Sequence, residues 1–378
     1  MAHREVAEKI NMKILWFSWK DMSHPQAGGA EVVNEELAKR LAAQGHEVHF
    51  IVGGYDGCSP EEDRDGFKIT RVGSKYTVYW HAFRFYKSNL QGWADLVVDE
   101  MNTIPFFARW YVREKSILFV HQLAREVWWY QMVFPFSFIG YTLEPLYLFL
   151  LRKYSVVTIS ESTKNDLLRY GFHEKNISII SEGIEIDPVV SISIARKYNA
   201  PTILSLGSVR PMKQTLEIIH AFTLIYDKMP DARLIIAGDI SGSYGELCKN
   251  EIEKSSAKNA IKVLGRVSKQ EKIELLRQSH VLVVTSIKEG WGLVVTEANS
   301  QGTPAVVYNV DGLRDSVKDA ETGLVTTMNT PQELARKVTR LLQDKEMYER
   351  YQKNAYEWSK CINFERSYED FIGVIKNI

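Results

Sequence analysis

Residues 280–302, HVLVVTSIKEGWGLVVTEANSQG, indicate the fold of this chain. HVLVVTS is mostly apolar and β-branched, which is typical of a strand buried in a parallel sheet. A Gly-Trp-Gly turn and a helical pattern follow, with Glu289 before the turn and Glu297 after it. Because ligands of open α/β sheets bind where strands end and helices begin, the stretch predicts a binding site.

The alternation of strand and helix extends along the whole chain. KILWFS (13–18) predicts a first strand, and the helix after it would bury Val33, Leu37 and Leu41 on one face. TILSLG (202–207) begins a second series of the same kind. We therefore predict an α/β protein with two doubly wound, Rossmann-like domains that face each other across a cleft.

The second series sets the expected domain boundary. We expect residues 1–184 to form the first domain and residues 185–359 the second, with SISIARKYNAP (191–201) as a linker. A last helix, at about 360–378, is expected to pack back on the first domain. A length of 378 residues supports this division, since one hydrophobic core rarely organises so long a chain.

Composition restricts the class of partner. The net charge is zero and the apolar content is 45%, so the basic surface of a nucleic-acid binder is not indicated. The three cysteines match no zinc or disulfide spacing, which favours a reducing, cytoplasmic setting. The first 13 residues lack the apolar core of a secretory signal.

Residues 127–151, VWWYQMVFPFSFIGYTLEPLYLFLL, are the most apolar part of the chain. Pro135, Gly140 and Glu144 argue against a transmembrane helix. We interpret the segment as helices buried inside the first domain. The alternative is a peripheral surface that meets a membrane or a lipid-linked substrate, because aromatic side chains are favoured at the headgroup level.

Two glycine turns are candidate anion sites. The P-loop and GxGxxG motifs are absent, but AGGAE (27–31) and EGWGL (289–293) each place glycines at the start of a predicted helix. Such turns expose backbone N–H groups to a phosphate, and the helix dipole favours the negative charge. We expect the two turns to face each other across the cleft.

The two glutamates fit a sugar. A carboxylate accepts two hydrogen bonds, which suits the vicinal hydroxyls of a ribose. Glu289 would project into the cleft, and Glu297 would lie in the first turns of the next helix. Each alone has a simpler explanation, a solvated charge for Glu289 and a complement to the helix dipole for Glu297. Together with the glycines between them, they favour binding.

KEGWGLVVTEANSQGTPAVV (288–307) resembles the E-G-F-G-L-x-x-x-E-A-x-x-x-G-x-P-V-V motif of the family-4 retaining glycosyltransferases, which have the GT-B fold. AGGAEVVNEELAKRLAAQGHEV, VTISESTKNDLL and VLGRVSKQEKIELLRQSHVLVVTS extend the resemblance over nearly the whole chain. It implies a second domain that binds a nucleotide sugar and a first domain that binds the acceptor.

The resemblance assigns expected roles to particular residues. Glu297 would hold the ribose and Glu289 the transferred sugar. His121, in LFVHQ at a strand end, would lie close to that sugar. Gly28 and Gly29 would lie beside the diphosphate or the sugar. The remaining expected nucleotide contacts are Gly265, Arg266, Gly290, Trp291, Gly292 and Leu293.

The basic pair of the family is altered in this chain. GSVRPMKQ (207–214) corresponds to the family's G-R-L-x-P-x-K-G, in which arginine and lysine neutralise the diphosphate. Lys213 matches the lysine, whereas Ser208 replaces the arginine and Arg210 lies two positions further on. We expect Arg210 to substitute for it.

The resemblance implies transfer with retention of configuration from a UDP- or GDP-sugar to a glycan or lipid-linked acceptor. No metal or other cofactor is expected, and Asp63-Arg64-Asp65 is interpreted as a solvated loop rather than a metal-binding D-x-D. The expected location is the cytoplasm, with peripheral contact at the inner face of the membrane. The alternatives are a nucleotide-sugar epimerase of the same fold and a catalytically weak sugar-binding homologue.

Overall fold

The computed structural model describes residues 11–192 and 196–378, and part of the expected linker, residues 193–195, lies outside it. The first half forms an eight-stranded sheet in the order β3-β4-β2-β1-β5-β6-β7-β8. All neighbours are parallel except β3 and β4. The strands are β1 (Lys13–Phe17), β2 (Glu47–Gly53), β3 (Glu61–Arg64), β4 (Phe67–Val72), β5 (Leu96–Met101), β6 (Lys115–Val120), β7 (Val156–Thr158) and β8 (Ile177–Ile179).

Helices cover both faces of this sheet. Val33, Leu37 and Leu41 of the first helix are buried against it, as their spacing predicts. The α-helices of this half are α1 (Gly29–Ala43), α2 (Val78–Phe85), α3 (Trp128–Gln131), α4 (Phe136–Leu151) and α5 (Glu161–Arg169).

The second half contains a six-stranded parallel sheet in the order β11-β10-β9-β12-β13-β14. Its strands are β9 (Thr202–Leu206), β10 (Arg233–Ala237), β11 (Ile261–Gly265), β12 (Val281–Val284), β13 (Ala305–Val307) and β14 (Gly323–Val325). The remaining helices are α6 (Thr215–Tyr226), α7 (Ser243–Lys254), α8 (Lys269–Gln278), α9 (Leu293–Ser300), α10 (Leu313–Ser316), α11 (Pro331–Gln343), α12 (Lys345–Ser359) and α13 (Phe364–Ile375). The predicted α/β class with two Rossmann-like sheets is confirmed.

Helix α13 belongs to the core of the first half. Phe371 is fully buried, and its ring centroid lies 5.6 Å from that of Trp16 on β1. The side chain of Phe364, at the start of α13, also fills the space beside Gly183, where an added Cβ would lie 2.4 Å from the phenylalanine ring. Because α12 packs on α9 of the second half, the chain passes between the halves twice.

The prediction of a solvated loop at Asp63-Arg64-Asp65 was correct for Asp65, which lies in an exposed turn, and wrong for Asp63 and Arg64, which belong to a strand. Glu61–Arg64 form the antiparallel edge strand β3, and the turn to β4 is made by Asp65 and Gly66 with φ of 48° and 88°. Arg64 donates to the Glu35 carboxylate of α1 at 2.9 Å, so this hairpin is tied to the helix rather than free in solvent.

The interpretation of residues 127–151 as buried helices was correct about the helices and wrong about their burial, which is confined to one face. One face of α4 and the turn before it are in solvent: Phe134 of the turn is 79% exposed, and Phe136 and Phe149 of α4 are more than half exposed. The opposite face packs through Tyr147, Leu148 and Leu151. No helix among the described residues is long and apolar enough to cross a membrane.

Glu144 explains how this segment is held in place. Its carboxylate is fully buried and accepts hydrogen bonds from the backbone N–H groups of Ala124 and Arg125, both at 2.7 Å, and from the Trp128 indole at 2.9 Å. Burial raises the pKa of Glu144, and these donors oppose the rise. The glutamate thus joins α4 to the loop after β6, and its role is structural.

Candidate active site between the two sheets

The two glycine turns lie together, as expected. Gly28 caps α1, and its N–H donates to the Glu31 carboxylate at 2.6 Å. A Cβ added to Gly29 would lie 3.1 Å from the Leu293 side chain, at the first residue of α9. Gly292 caps α9 with φ of 98°, a conformation that side chains disfavour. Two helix N-termini from different halves therefore meet at one place.

His121 lies directly after β6 at the same place. A Cβ added to Gly290 would lie 2.8 Å from the His121 carbonyl oxygen, so the second turn touches the backbone of the histidine. The ring is 5% exposed, and its Nε2 lies 3.1 Å from Oδ1 of Asn34 on α1. Burial lowers the pKa of His121 to about 3, so the imidazole is neutral at physiological pH.

Glu289 and Lys213 form an ion pair. Lys213 ends a short helical turn after β9, and its ammonium group contacts Oε1 of Glu289. The Ser286 hydroxyl donates to the same oxygen at 2.5 Å. The backbone N–H of Glu289 donates to the Asp311 carbonyl at 3.1 Å. The Glu289 carboxylate is thus held by two side chains, and the Glu289 backbone is held by the Asp311 carbonyl.

Glu297 lies within α9 and is almost completely buried. Lys272 of α8 donates to its carboxylate at 2.5 Å. Burial raises the pKa of Glu297, while the lysine acts to lower it. The sequence analysis missed Lys272. A buried carboxylate requires a partner, but no short-range pattern shows which lysine supplies it.

Arg210 and Arg266 lie further out. Arg210 is exposed at the start of the turn that carries Lys213. Arg266 follows β11 and donates to the Asp239 carboxylate at 2.9 Å. Since β11 and β12 are three strand positions apart, Arg266 lies on the order of 14 Å from the strand that precedes Glu289. Gly265, at the end of β11, accepts a hydrogen bond from the Gly238 N–H at 2.7 Å.

Trp291 belongs to the contact between the halves. It packs with Leu293 against the core of the first sheet. Its ring centroid lies 6.3 Å from that of Trp358 on α12. The residue in the middle of the turn therefore packs where the two halves meet, and the nucleotide contact expected of it stays a prediction.

Solved structures with a similar architecture include glycosyltransferases and a protein that binds UDP and glucose. The Anabaena protein HepE, in complex with UDP and glucose, aligns with a TM-score of 0.74 at 15% identity, over 97% of this chain and 100% of that chain. WaaG, a glycosyltransferase involved in lipopolysaccharide biosynthesis, aligns with a TM-score of 0.75 at 17% identity, over 96% and 99% of the two chains. The chain therefore has the GT-B fold.

Sequence relatives define the family. The model of glycosyl transferases group 1 matches residues 191–358, and that of glycosyltransferase family 4 matches residues 27–188. N-acetyl-α-D-glucosaminyl L-malate synthase of Bacillus anthracis is 24% identical over 92% of this chain and 94% of its own. Poly(glycerol-phosphate) α-glucosyltransferase of Bacillus subtilis is 30% identical over 46% of this chain and 25% of its own. The chain belongs to glycosyltransferase family 4, and its enzyme class is glycosyltransferase.

Proposed function

We propose that this protein transfers a sugar from a UDP- or GDP-sugar to a hydroxyl group of a glycan or lipid-linked acceptor, with retention of the anomeric configuration. The observation that carries the proposal is the ion pair of Glu289 and Lys213 beside the glycine turn of α9, in contact with the His121 backbone. The relatives support a nucleotide-sugar donor, since HepE binds UDP and glucose, and UDP-glucose, in its structures.

The site offers each part of such a donor a partner. The N–H groups at the start of α9 would receive the diphosphate. Lys213 would also bind it, because a diphosphate presents more negative charge than the single carboxylate of Glu289. Glu289, freed from the lysine, would accept hydrogen bonds from the sugar hydroxyls. Glu297 would hold the ribose, and the backbone near Gly265 would contact the base.

The chemistry follows from the change in charge. As the bond from the sugar C1 to the diphosphate oxygen breaks, negative charge grows on the diphosphate and positive charge on the ring. Lys213, the α9 amides and the exposed Arg210 would stabilise the leaving group. The acceptor oxygen bonds to C1 on the same face, and its proton passes to the leaving phosphate oxygen. Because the His121 imidazole is neutral, it can donate or accept a hydrogen bond near the sugar ring without adding a positive charge there.

Metal independence remains part of the proposal. Lys213, Arg210 and the helix amides would supply the positive potential that a divalent ion supplies elsewhere. Turnover that survives chelation by EDTA would support this, whereas turnover restored only by added Mg²⁺ or Mn²⁺ would contradict it.

The acceptor side of the proposal includes a membrane. The exposed face of α3, α4 and the turn between them, here called the aromatic face, comprises Trp129, Tyr130, Phe134, Phe136, Phe138, Leu146 and Phe149. Arg152 lies at its end, with the guanidinium carbon 3.4 Å from the Phe149 ring centroid, and Lys153 beside it is exposed. Aromatic side chains next to basic groups suit the headgroup region of an anionic bilayer. Contact there would bring the cleft near a lipid-linked acceptor.

Donor binding is tested first by thermal unfolding with UDP, GDP and their sugar conjugates. A ligand at about 100 times its Kd adds about 2.7 kcal/mol to the stability of the state that binds it. We expect one nucleotide series to raise the Tm of the wild type and to raise that of Glu297→Ala much less. Glu253→Gln, an exposed change on α7, should respond like the wild type.

Turnover then separates the candidate activities. Transfer should release the nucleoside diphosphate only when an acceptor is present, and NMR of the product should show the anomeric configuration of the donor. Inversion would contradict the proposed stereochemistry. An epimerised sugar would identify the epimerase alternative, and binding without turnover would identify a sugar-binding homologue.

A further inference from the structure

Lys288, the residue before Glu289, is a buried cation between two carboxylates. Its side chain is 6% exposed, and its Nζ lies 2.5 Å from Oδ2 of Asp166 and 2.7 Å from Oδ2 of Asp311. Burial acts to lower the pKa of Lys288, but the two carboxylates outweigh it and raise the pKa. The charge of this lysine is therefore balanced by its two partners.

The two partners belong to different halves of the protein. Asp166 is on α5 of the first half, whereas Asp311 lies between β13 and α10 of the second half. Beside them, the backbone N–H of Ser162 on α5 donates to Oδ1 of Asp315 on α10 at 3.2 Å. Lys288 is in the second half, so its bond to Asp166 exists only while α5 lies against that half.

The loop that holds Lys288 also holds Glu289. The Glu289 N–H donates to the Asp311 carbonyl at 3.1 Å. A Cβ added to Gly312 would lie 2.3 Å from the Glu289 carbonyl oxygen, so the two backbones are in direct contact. A movement of Lys288 or Asp311 would therefore displace the Glu289 backbone, and with it the carboxylate that we place on the donor sugar.

A polar cavity borders this ion pair. It has a volume of 540 Å³ and is lined by residues of α5, among them Asp166, and by Asp311, Arg314 and Asp315. Water in this cavity can solvate the carboxylates when the halves separate. Separation therefore replaces the Lys288–Asp166 bond with hydration, and the bond is a reversible contact rather than a permanent part of either core.

We propose that Lys288 is a positioning residue, which through its bond to Asp166 makes the placement of Glu289 depend on closure of the cleft. The inference rests on the proposed function only in assigning Glu289 to the donor sugar. The contact between the halves is independent of that assignment and can be measured separately.

The two aspartates provide a matched pair of variants. Asp166→Asn weakens the bond between the halves, whereas Asp311→Asn weakens only a bond within the second half. We expect kcat/KM for the donor to fall on the order of tenfold in Asp166→Asn, within the usual range of coupling between sites. Asp311→Asn should lose much less. An equal decrease in kcat/KM in both variants would overturn the proposal. It would show that Lys288 needs any carboxylate partner, and not the one in the other half.

Closure is measured without any substrate. In a Cys58→Ser, Cys361→Ser background, Ser162→Cys and Asp315→Cys should form a disulfide, because the two residues are in contact. We expect Asp166→Asn to slow this cross-linking and Asp311→Asn to leave it near the parent rate. The radius of gyration from X-ray scattering gives a second readout, and it should increase only in Asp166→Asn.

Rescue distinguishes positioning from general damage. Once the disulfide holds the halves together, Asp166→Asn should lower donor binding no more than Asp311→Asn does. If the locked protein keeps the full defect, Lys288 does not act through closure. If the wild type binds no nucleotide while the cross-linking difference remains, the proposed function fails and the closure contact stands.

Discussion

At the residue scale, Glu144 shows how a charged side chain becomes part of a fold. The glutamate lies in the most apolar segment of the chain, where sequence reasoning used it only against a membrane span. In the structure it is fully buried and accepts three hydrogen bonds at 2.7–2.9 Å from the loop after β6 and from α3. Its contribution is to join α4 to the loop after β6 and to α3.

Glu144→Ala should therefore be strongly destabilising. The change leaves the Trp128 indole and two backbone N–H groups, of Ala124 and of the partly buried Arg125, without an acceptor, and each buried loss costs about 1–3 kcal/mol. We expect urea denaturation to show a decrease of at least ~3 kcal/mol in the free energy of unfolding. Glu126→Ala, an exposed glutamate nearby, is the control and should change stability little. A similar decrease in the free energy of unfolding in both variants would refute the structural role assigned to Glu144.

The site residues also show what a sequence can reveal. Glu289, Glu297 and the Gly-Trp-Gly turn are close in the chain, so their proximity in space follows from a strand-turn-helix pattern. The bond of Lys272 to Glu297 joins positions 25 residues apart, and that of Lys288 to Asp166 joins positions 122 apart. Periodicity describes which face of a helix is buried, but it does not describe which distant side chain completes an ion pair.

At the element scale, prediction succeeded for amphipathic helices, which have one apolar and one polar face. It failed for elements whose residues are alike on both faces. Helix α1 buries Val33, Leu37 and Leu41 on one face, as their spacing predicts. By contrast, α4 carries apolar residues on both faces, so its pattern is the same whether one face or both are covered. Strand β3 is made of charged residues, and only its pairing with β4 identifies it as a strand.

The aromatic face of α3 and α4 gives a prediction at this scale. Replacing Trp129, Phe134, Phe136 and Phe149 by serine should reduce binding to vesicles that contain an anionic phospholipid, measured by co-sedimentation. Since these side chains are about half exposed or more, stability should change little. Trp128 is left intact because it is buried and bonded to Glu144.

The vesicle measurement has a control in the other half. Leu247→Ser and Met328→Ser remove exposed apolar side chains far along the chain and should leave vesicle binding unchanged. Binding of the aromatic-face variant at the wild-type level would contradict the proposed membrane contact. Loss of binding with unchanged thermal stability would support it.

At the scale of the whole molecule, the segment between the two halves carries a buried acid. Glu182 is 3% exposed, and burial raises its pKa to about 8, against 4.5 for the free side chain. Between these pH values the folded protein holds a proton that the unfolded chain has released. The stabilisation is complete below pH 4.5 and is lost as pH rises through 8, so the free energy of unfolding should fall over this interval.

Glu182→Gln should remove this pH dependence. The slope from one such group is at most about 1.4 kcal/mol per pH unit. We expect urea denaturation at pH 5 and pH 8 to show a smaller loss of stability in Glu182→Gln than in the wild type. Glu369→Gln, which changes an exposed residue of α13, should keep the wild-type difference. If Glu182→Gln loses as much stability between pH 5 and pH 8 as the wild type does, the Glu182 carboxyl is ionised in the folded protein over this whole interval.

The return of α13 to the first sheet has a consequence for biosynthesis. Trp16 and its neighbours on β1 pack against Phe371, which is translated more than three hundred residues later. The second half obtains its last helix, α12, by residue 359. During synthesis on the ribosome, the domain encoded second can therefore complete its core before the domain encoded first, whose apolar surface stays uncovered until the end of the chain emerges.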